Sequence, residues 1–117
     1  MMFLYWVFLF LKIQLLMEDK VGKVYKNQTA LAIRRRTEVD LTYITAVYLK
    51  YIKPDGTTGQ WTGTVYNASR GIVEYTIVSA NDLDQSGTWT IWAYVTFANG
   101  NSAPGEPTKL EVYDEGQ

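Results

Sequence analysis

The chain contains neither cysteine nor histidine, and those two absences remove whole classes of chemistry. Without cysteine no disulfide fastens the fold, and redox compartment cannot be read from thiol usage. Without histidine the commonest general base is missing. With both gone, so are the usual ligands of zinc, copper and haem. Most hydrolytic and redox mechanisms are thereby disfavoured, so no enzyme, catalytic residue, cofactor or metal is expected. An excess of charge of one sign is also lacking: 11 Lys and Arg stand against 12 Asp and Glu, a formal net charge of −1. Such a balance exerts no long-range pull on nucleic acid or anionic lipid, and no nucleic-acid partner is expected.

What is present is sheet-forming material. Aromatic residues make up 15% of the 117 residues, and Tyr and Thr are frequent, a composition that favours strands. The length suits one domain with a two-layer core. Ahead of it, Met1 to Leu11 is unbroken apolar sequence, interrupted by Lys12 and Gln14 and continued by Ile13, Leu15, Leu16 and Met17. A spanning helix needs about 20 mostly apolar residues. A signal peptide needs a positive start and a small-residue cleavage site, and neither is there. Three readings stay open: a short membrane anchor with Lys12 snorkelling to an interface, an arm buried against a partner, or an over-extended start with Met17 as the true first residue. Residues 1–17 are therefore set apart as a hydrophobic segment, helical if ordered. Residues 18–114 are assigned to a β-sandwich and 115–117 to a tail.

Asp82-Leu-Asp-Gln-Ser-Gly-Thr-Trp89 and its continuation to Phe97 read as a corner turn feeding a long strand. Alternation puts Trp89, Ile91, Ala93 and Val95 on one face, with Leu83 plugging the end of the same core. Six further strands are expected, at Val21–Lys26, Thr29–Arg35, Ile44–Lys53, Gln60–Tyr66, Ile72–Val78 and Lys109–Tyr113. Thr37–Thr42 is turn-like, with Val39 and Leu41 able to point inward. In the third strand Val47, Leu49 and Tyr51 share a face. Pro54-Asp-Gly56 closes a hairpin onto the Gln60 strand, which offers Trp61, Gly63 and Val65 to one side. Asn67–Gly71 is a turn, after which Val73, Tyr75 and Ile77 line up. Asn99-Gly100 opens a longer polar loop through Pro104-Gly105, and Leu110 and Val112 point inward near the end. About seven strands at this spacing predict an all-β, immunoglobulin-like antiparallel sandwich.

Val24-Tyr-Lys-Asn-Gln-Thr29, Ile52-Lys-Pro-Asp-Gly-Thr-Thr-Gly-Gln-Trp61, Asp82-Leu-Asp-Gln-Ser-Gly-Thr-Trp89 and Ala93-Tyr-Val95 together resemble small phage and prophage proteins. These are similar to the immunoglobulin-like N-terminal domains of phage baseplate and tail-fibre components. The likeness covers roughly residues 21–113, and the apolar leader departs from it. The resemblance implies a non-enzymatic virion structural protein, tail-, baseplate- or capsid-associated, that touches other virion proteins in many copies. It carries over no catalytic residue.

Candidate binding residues follow from the strand pattern. If Trp89 faces inward, Trp92 and Tyr94 project from the opposite side, with Tyr48 on a neighbouring strand. Such a cluster suits a protein contact, a sugar-stacking platform or plain structural cover. Arg34-Arg-Arg36 suggests an acidic partner through Arg34 and Arg36, although three arginines on a strand alternate between faces and Glu38 and Asp40 lie alongside. The competing reading is a charged strand end that deters edge pairing. Asn81, Asp82 and Asp84 offer oxygens to calcium, but they lack the spacing and terminal glutamate of a calcium loop, and an Asp there ordinarily fixes the turn. Asn27-Gln-Thr29 and Asn67-Ala-Ser69 match the glycosylation pattern without a secretory signal to support it. The expected location is the virion. The alternative is a membrane-anchored or surface sandwich that binds glycan or protein, with membrane contact only through residues 1–17.

Overall fold

Side chains that alternate between apolar and polar can satisfy both water and a core only if each sheet lies against another layer. A computed structural model describes residues 23–117 and meets that demand with strands alone. The apolar segment 1–17, with its anchor, buried-arm and start-site readings, lies outside the described residues. Among the described residues no helix is long and apolar enough to cross a membrane.

Among the described residues nine strands are formed: β1 (Val24–Tyr25), β2 (Leu31–Arg36), β3 (Ile44–Ile52), β4 (Thr58–Thr62), β5 (Thr64–Asn67), β6 (Ile72–Ile77), β7 (Gly87–Phe97), β8 (Ser102–Pro104) and β9 (Thr108–Tyr113). The larger sheet runs β1-β9-β7-β3-β4, with β8 also on β7, and the smaller runs β2-β6-β5. The architecture is an all-β arrangement of two sheets. All neighbours are antiparallel except β1 and β9, which pair in parallel through Val24↔Val112 and Tyr25↔Tyr113.

β7 lies at the centre of the larger sheet, and its alternation is as the sequence predicts. Trp89, Ile91, Ala93 and Val95 are fully buried, and Leu83 closes the end of the core. Neighbouring strands of the same sheet add Val47, Leu49 and Val112, and the smaller sheet adds Ile33, Val73 and Ile77. Burying such an aliphatic side chain is worth about 1.5–3 kcal/mol. Four rings form the densest part. Trp61 stacks on Tyr75 at 5.0 Å and 5° and lies 6.1 Å from Trp89, while Tyr51 tilts against Trp61 and Trp89 at 4.6 and 5.4 Å. Offset and tilted ring pairs add about 0.5–1.5 kcal/mol each beyond the area they bury.

The structure departs from the expected elements in three places, and two of them explain nine strands rather than about seven. The single strand expected over Gln60–Tyr66 is broken at Gly63: β4 pairs with β3 in the larger sheet, and β5 pairs with β6 in the smaller. The chain crosses between layers there because the backbone comes very close to both. The Gly63 N–H donates to the Val47 carbonyl at 2.9 Å, and a Cβ would stand 2.8 Å from both the Glu74 carbonyl oxygen and Leu49 Cδ1. Trp61 is consequently in the core, whereas Val65 is 39% exposed. The polar loop after Asn99 is shorter than expected. Gly100, at φ 90°, turns the chain, the Phe97 N–H donates to the Asn101 carbonyl at 2.8 Å, and β8 re-pairs with β7. The second strand begins at Leu31 rather than Thr29, after Ala30 takes a left-handed φ of 60°.

Gly63→Ala should lower unfolding stability by about 1–3 kcal/mol, the usual cost of forcing atoms into a packed site. Urea denaturation checks this, and an unchanged midpoint would show that the crossing tolerates a side chain.

Candidate interaction surface

The outward residues of β7 alternate with the core set, and pairing register places them in rows across the larger sheet. One row is Thr62, Tyr48, Tyr94 and Pro104; the next is Gln60, Lys50 and Trp92. Tyr48 and Tyr94 are directly opposite one another, and Lys50 lies opposite Trp92. The Lys50 ammonium also sits 3.8 Å from the Tyr94 ring centroid, within the range of cation–π attraction. All four side chains are half-buried, as expected of rings lying along a sheet instead of standing off it. Beside them a shallow recess is lined by Lys50, Ile52, Thr58, Gln60 and Trp92. The face therefore offers three rings, one cation and flanking amide and hydroxyl groups.

Arg34 and Arg36 are elsewhere. Both point outward from β2, in the smaller sheet, so the five predicted interaction residues fall on two different sheets. Arg34 is engaged within the molecule: its Nε is 2.7 Å from Glu74 Oε2, and its guanidinium lies 3.8 Å over the Tyr66 ring. Arg36 lines a polar recess with Glu38, Asp40, Ser69 and Arg70. Asp40 is held below the usual carboxylate range by the hydroxyl and backbone N–H of Thr42. Arg35 turns inward on the Ile33 face, half-buried, with its Nε unpaired and its pKa lowered by desolvation. A charge aimed inward from an edge strand deters added strands, which favours the strand-end reading of the arginine run.

The other two motifs prove to be one structure. Lys53 reaches both carboxylate oxygens of Asp84 at 3.0 Å. The Asp55 carboxylate accepts from Gln85 Nε2 at 2.9 Å, and Gln85 Oε1 accepts from the Asp55 N–H at 3.2 Å. Bonds from Thr57 and Gln85 hold Asp55 below the ordinary carboxylate range. A Cβ on Gly87, at φ 120°, would stand 2.9 Å from Pro54. The hairpin tip thus rests on the corner. Asp82 faces the other way, accepting from the Tyr75 hydroxyl at 2.8 Å and the Ser79 N–H at 3.3 Å.

Among the described residues no group of three or more Asp, Glu, His or Cys side chains is placed to hold a metal ion. Asn27 is likewise tied to the corner: at φ 66°, its N–H donates to the Leu83 carbonyl at 2.7 Å and its Nδ2 to the Ala80 carbonyl at 2.6 Å. Asn67 accepts from Ser69 Oγ and the Arg70 N–H, a turn-forming role.

The sequence placed Trp92, Tyr94 and Tyr48 on this outer face, and pairing register adds Lys50, Gln60, Thr62 and Pro104 to it. For Lys50 and Gln60 the signal was available. A hairpin closed by the Lys53 N–H and the Thr57 carbonyl fixes Gln60 opposite Lys50. Comparison with protein-family models, curated proteins and solved structures finds no match.

Burial and the Asp82 hydrogen bond push Tyr75 up from 10.0 to about 12. A folded-state value above the unfolded one favours the neutral phenol, so its contribution is complete below pH 10 and disappears as pH rises through about 12. Tyr75→Phe should reduce stability near neutrality by about 1 kcal/mol and flatten the alkaline loss. Denaturation midpoints measured across that range test this, and a wild-type slope in the variant would refute it.

Proposed function

We propose that this protein is a non-catalytic docking module with an immunoglobulin-like fold, a phage virion component associated with tail, baseplate or capsid. It holds neighbouring virion proteins in many copies through the outer face of its larger sheet. Strand order supports the fold assignment. With β2, β6 and β5 taken as strands B, E and D, and β3, β7 and β9 as C, F and G, the two sheets follow the immunoglobulin partition, β4 being the additional strand beside C. The phage assignment rests on the hairpin and corner motifs, and their mutual contact gives a physical reason for the two to occur together.

The observation that carries the docking role is the Tyr48–Tyr94 pair with Lys50 and Trp92 beside it. Aromatic and cationic side chains of this kind dominate binding energy at interfaces. In this reading no substrate is turned over. A second reading, a surface or membrane-tethered sandwich that binds glycan, draws support from Gln60 and Thr62 flanking the rings, since sugars need hydrogen bonds beside a stacking surface.

Trp92→Ala separates the two. On the leading reading, co-sedimentation of the variant with assembled particles should weaken at least about tenfold, the scale of a lost aromatic anchor, while its melting curve stays near wild type. If particle association is unaffected and binding to immobilised glycan falls instead, the second reading prevails. If neither changes, the face is structural.

A further inference from the structure

Charge is unevenly placed on this molecule. The chain as a whole carries a formal net charge of −1, yet the strip of the larger sheet around Trp92 is cationic. Lys50 lies directly opposite Trp92 on β3, and Lys109 lies opposite Thr90 on β9. Both lean over β7. The Lys50 ammonium is 3.8 Å from the Tyr94 ring centroid, and the Lys109 ammonium is 3.2 Å from Thr90 Oγ1. Among the described residues neither lysine is in an ion pair. Glu111, on the same face, lies opposite Thr88 and accepts from its hydroxyl at 2.7 Å.

The spacing of the two cations is set by β7. Thr90 and Tyr94 are four residues apart on one strand, so the ammonium groups are separated by about 13 Å along it at the usual rise. Trp92 lies midway and faces the same way. The alternation that buries Ile91 and Ala93 keeps all three outward. Next to Trp92 a recess of about 450 Å³ is lined by Ile52, Thr58 and Gln60 as well as Lys50. A cation, a ring beside a recess and a second cation therefore follow one another on a line.

We infer that this strip receives an extended acidic segment of the partner protein, laid along β7, with carboxylates four positions apart and an apolar side chain midway. An extended chain repeats its side-chain direction every second residue, at the same rise as β7. Its residues i, i+2 and i+4 thus meet one lysine, Trp92 and the other lysine together, the middle side chain entering the recess. The inference rests on the docking role proposed above and adds the chemistry of the partner to it. Carboxylates supply the counter-charge that the fold leaves off both lysines. A cation covered by a partner loses water, a cost recovered only if it is paired there. Nucleic acid is a poor occupant, because two cations neutralise too few phosphates to hold it.

The test is co-sedimentation of the full chain with assembled particles at rising NaCl. Wild type is compared with Trp92→Ala, with the double variant Lys50→Gln/Lys109→Gln, and with its charge-preserving counterpart Lys50→Arg/Lys109→Arg. Salt should weaken the wild-type association. The glutamine pair should weaken it at least about tenfold, the combined effect of two ion pairs, and lose most of the salt dependence, while the arginine pair stays close to wild type. If Trp92→Ala weakens binding and the glutamine pair does not, docking stands and the acidic segment is overturned. If neither weakens it, both fail. A soluble probe reads the same site without particles. The Trp92 indole N–H resonance of the full chain should move with a peptide carrying two glutamates four positions apart around a valine. At least about tenfold more of the glutamine version of that peptide should be needed. Equal shifts with both peptides, or tighter binding of oligogalacturonate than of the glutamate peptide, overturn the proposal.

Discussion

The structure depends on where the Trp89 indole is held. Its ring is fully buried at the base of the central strand, and its Nε1–H donates to the Gln85 carbonyl at 2.9 Å. A buried indole must satisfy that donor or lose the free energy of a missing bond, so the corner must bring Gln85 back over the ring. Once it does, Gln85 is placed to meet Asp55, Asp84 to meet Lys53, and Pro54 to rest against Gly87. The exposed ion pair contributes little alone, about 0–1 kcal/mol. Its effect is geometric, because it fixes the hairpin over the end of the core and with it the register of β3 against β4.

That register reaches the opposite surface. Tyr51 and Trp61 are drawn inward onto Trp89, so period-two alternation obliges Tyr48, Lys50, Gln60 and Thr62 to face out. The proposed docking face is thus the back of the aromatic core, and a one-residue slip would exchange the two. The same requirement shapes the seam. Trp61 must stay under the rings, yet the chain must also supply the smaller sheet with β5, and only a residue without a side chain fits through the crossing.

Much of this was legible in the sequence. The faces of β7, β3 and β6 follow from alternation, and the hairpin from Pro54-Asp-Gly56, because a long strand with one apolar face has one way to lie. The change of sheet at Gly63 was not legible, since Trp61, Gly63 and Val65 keep the right alternation while the layer beneath them changes. β8 was hidden for a related reason: Ser102 to Pro104 has weak strand propensity and pairs only because a long partner is already in place. Within the candidate surface, the outward direction of each ring could be read from the alternation of its own strand, but setting Lys50 and Gln60 beside the rings needed register between strands. The separation of Arg34 and Arg36 from the rings follows from sheet assignment, which pattern alone does not supply.

The parallel pair of β1 and β9 has a mechanical consequence. The chain enters at Lys23 immediately before β1 and leaves after Tyr113 at the far end of β9. Tension applied between these two points therefore drags the strands lengthwise past one another. Every bond joining them, including the 2.8 Å link from the Lys26 N–H to the Tyr113 carbonyl, bears load at the same moment and is not peeled open in turn. A module strung between two anchors in that way resists stretching at a ladder whose first strand is only two residues long.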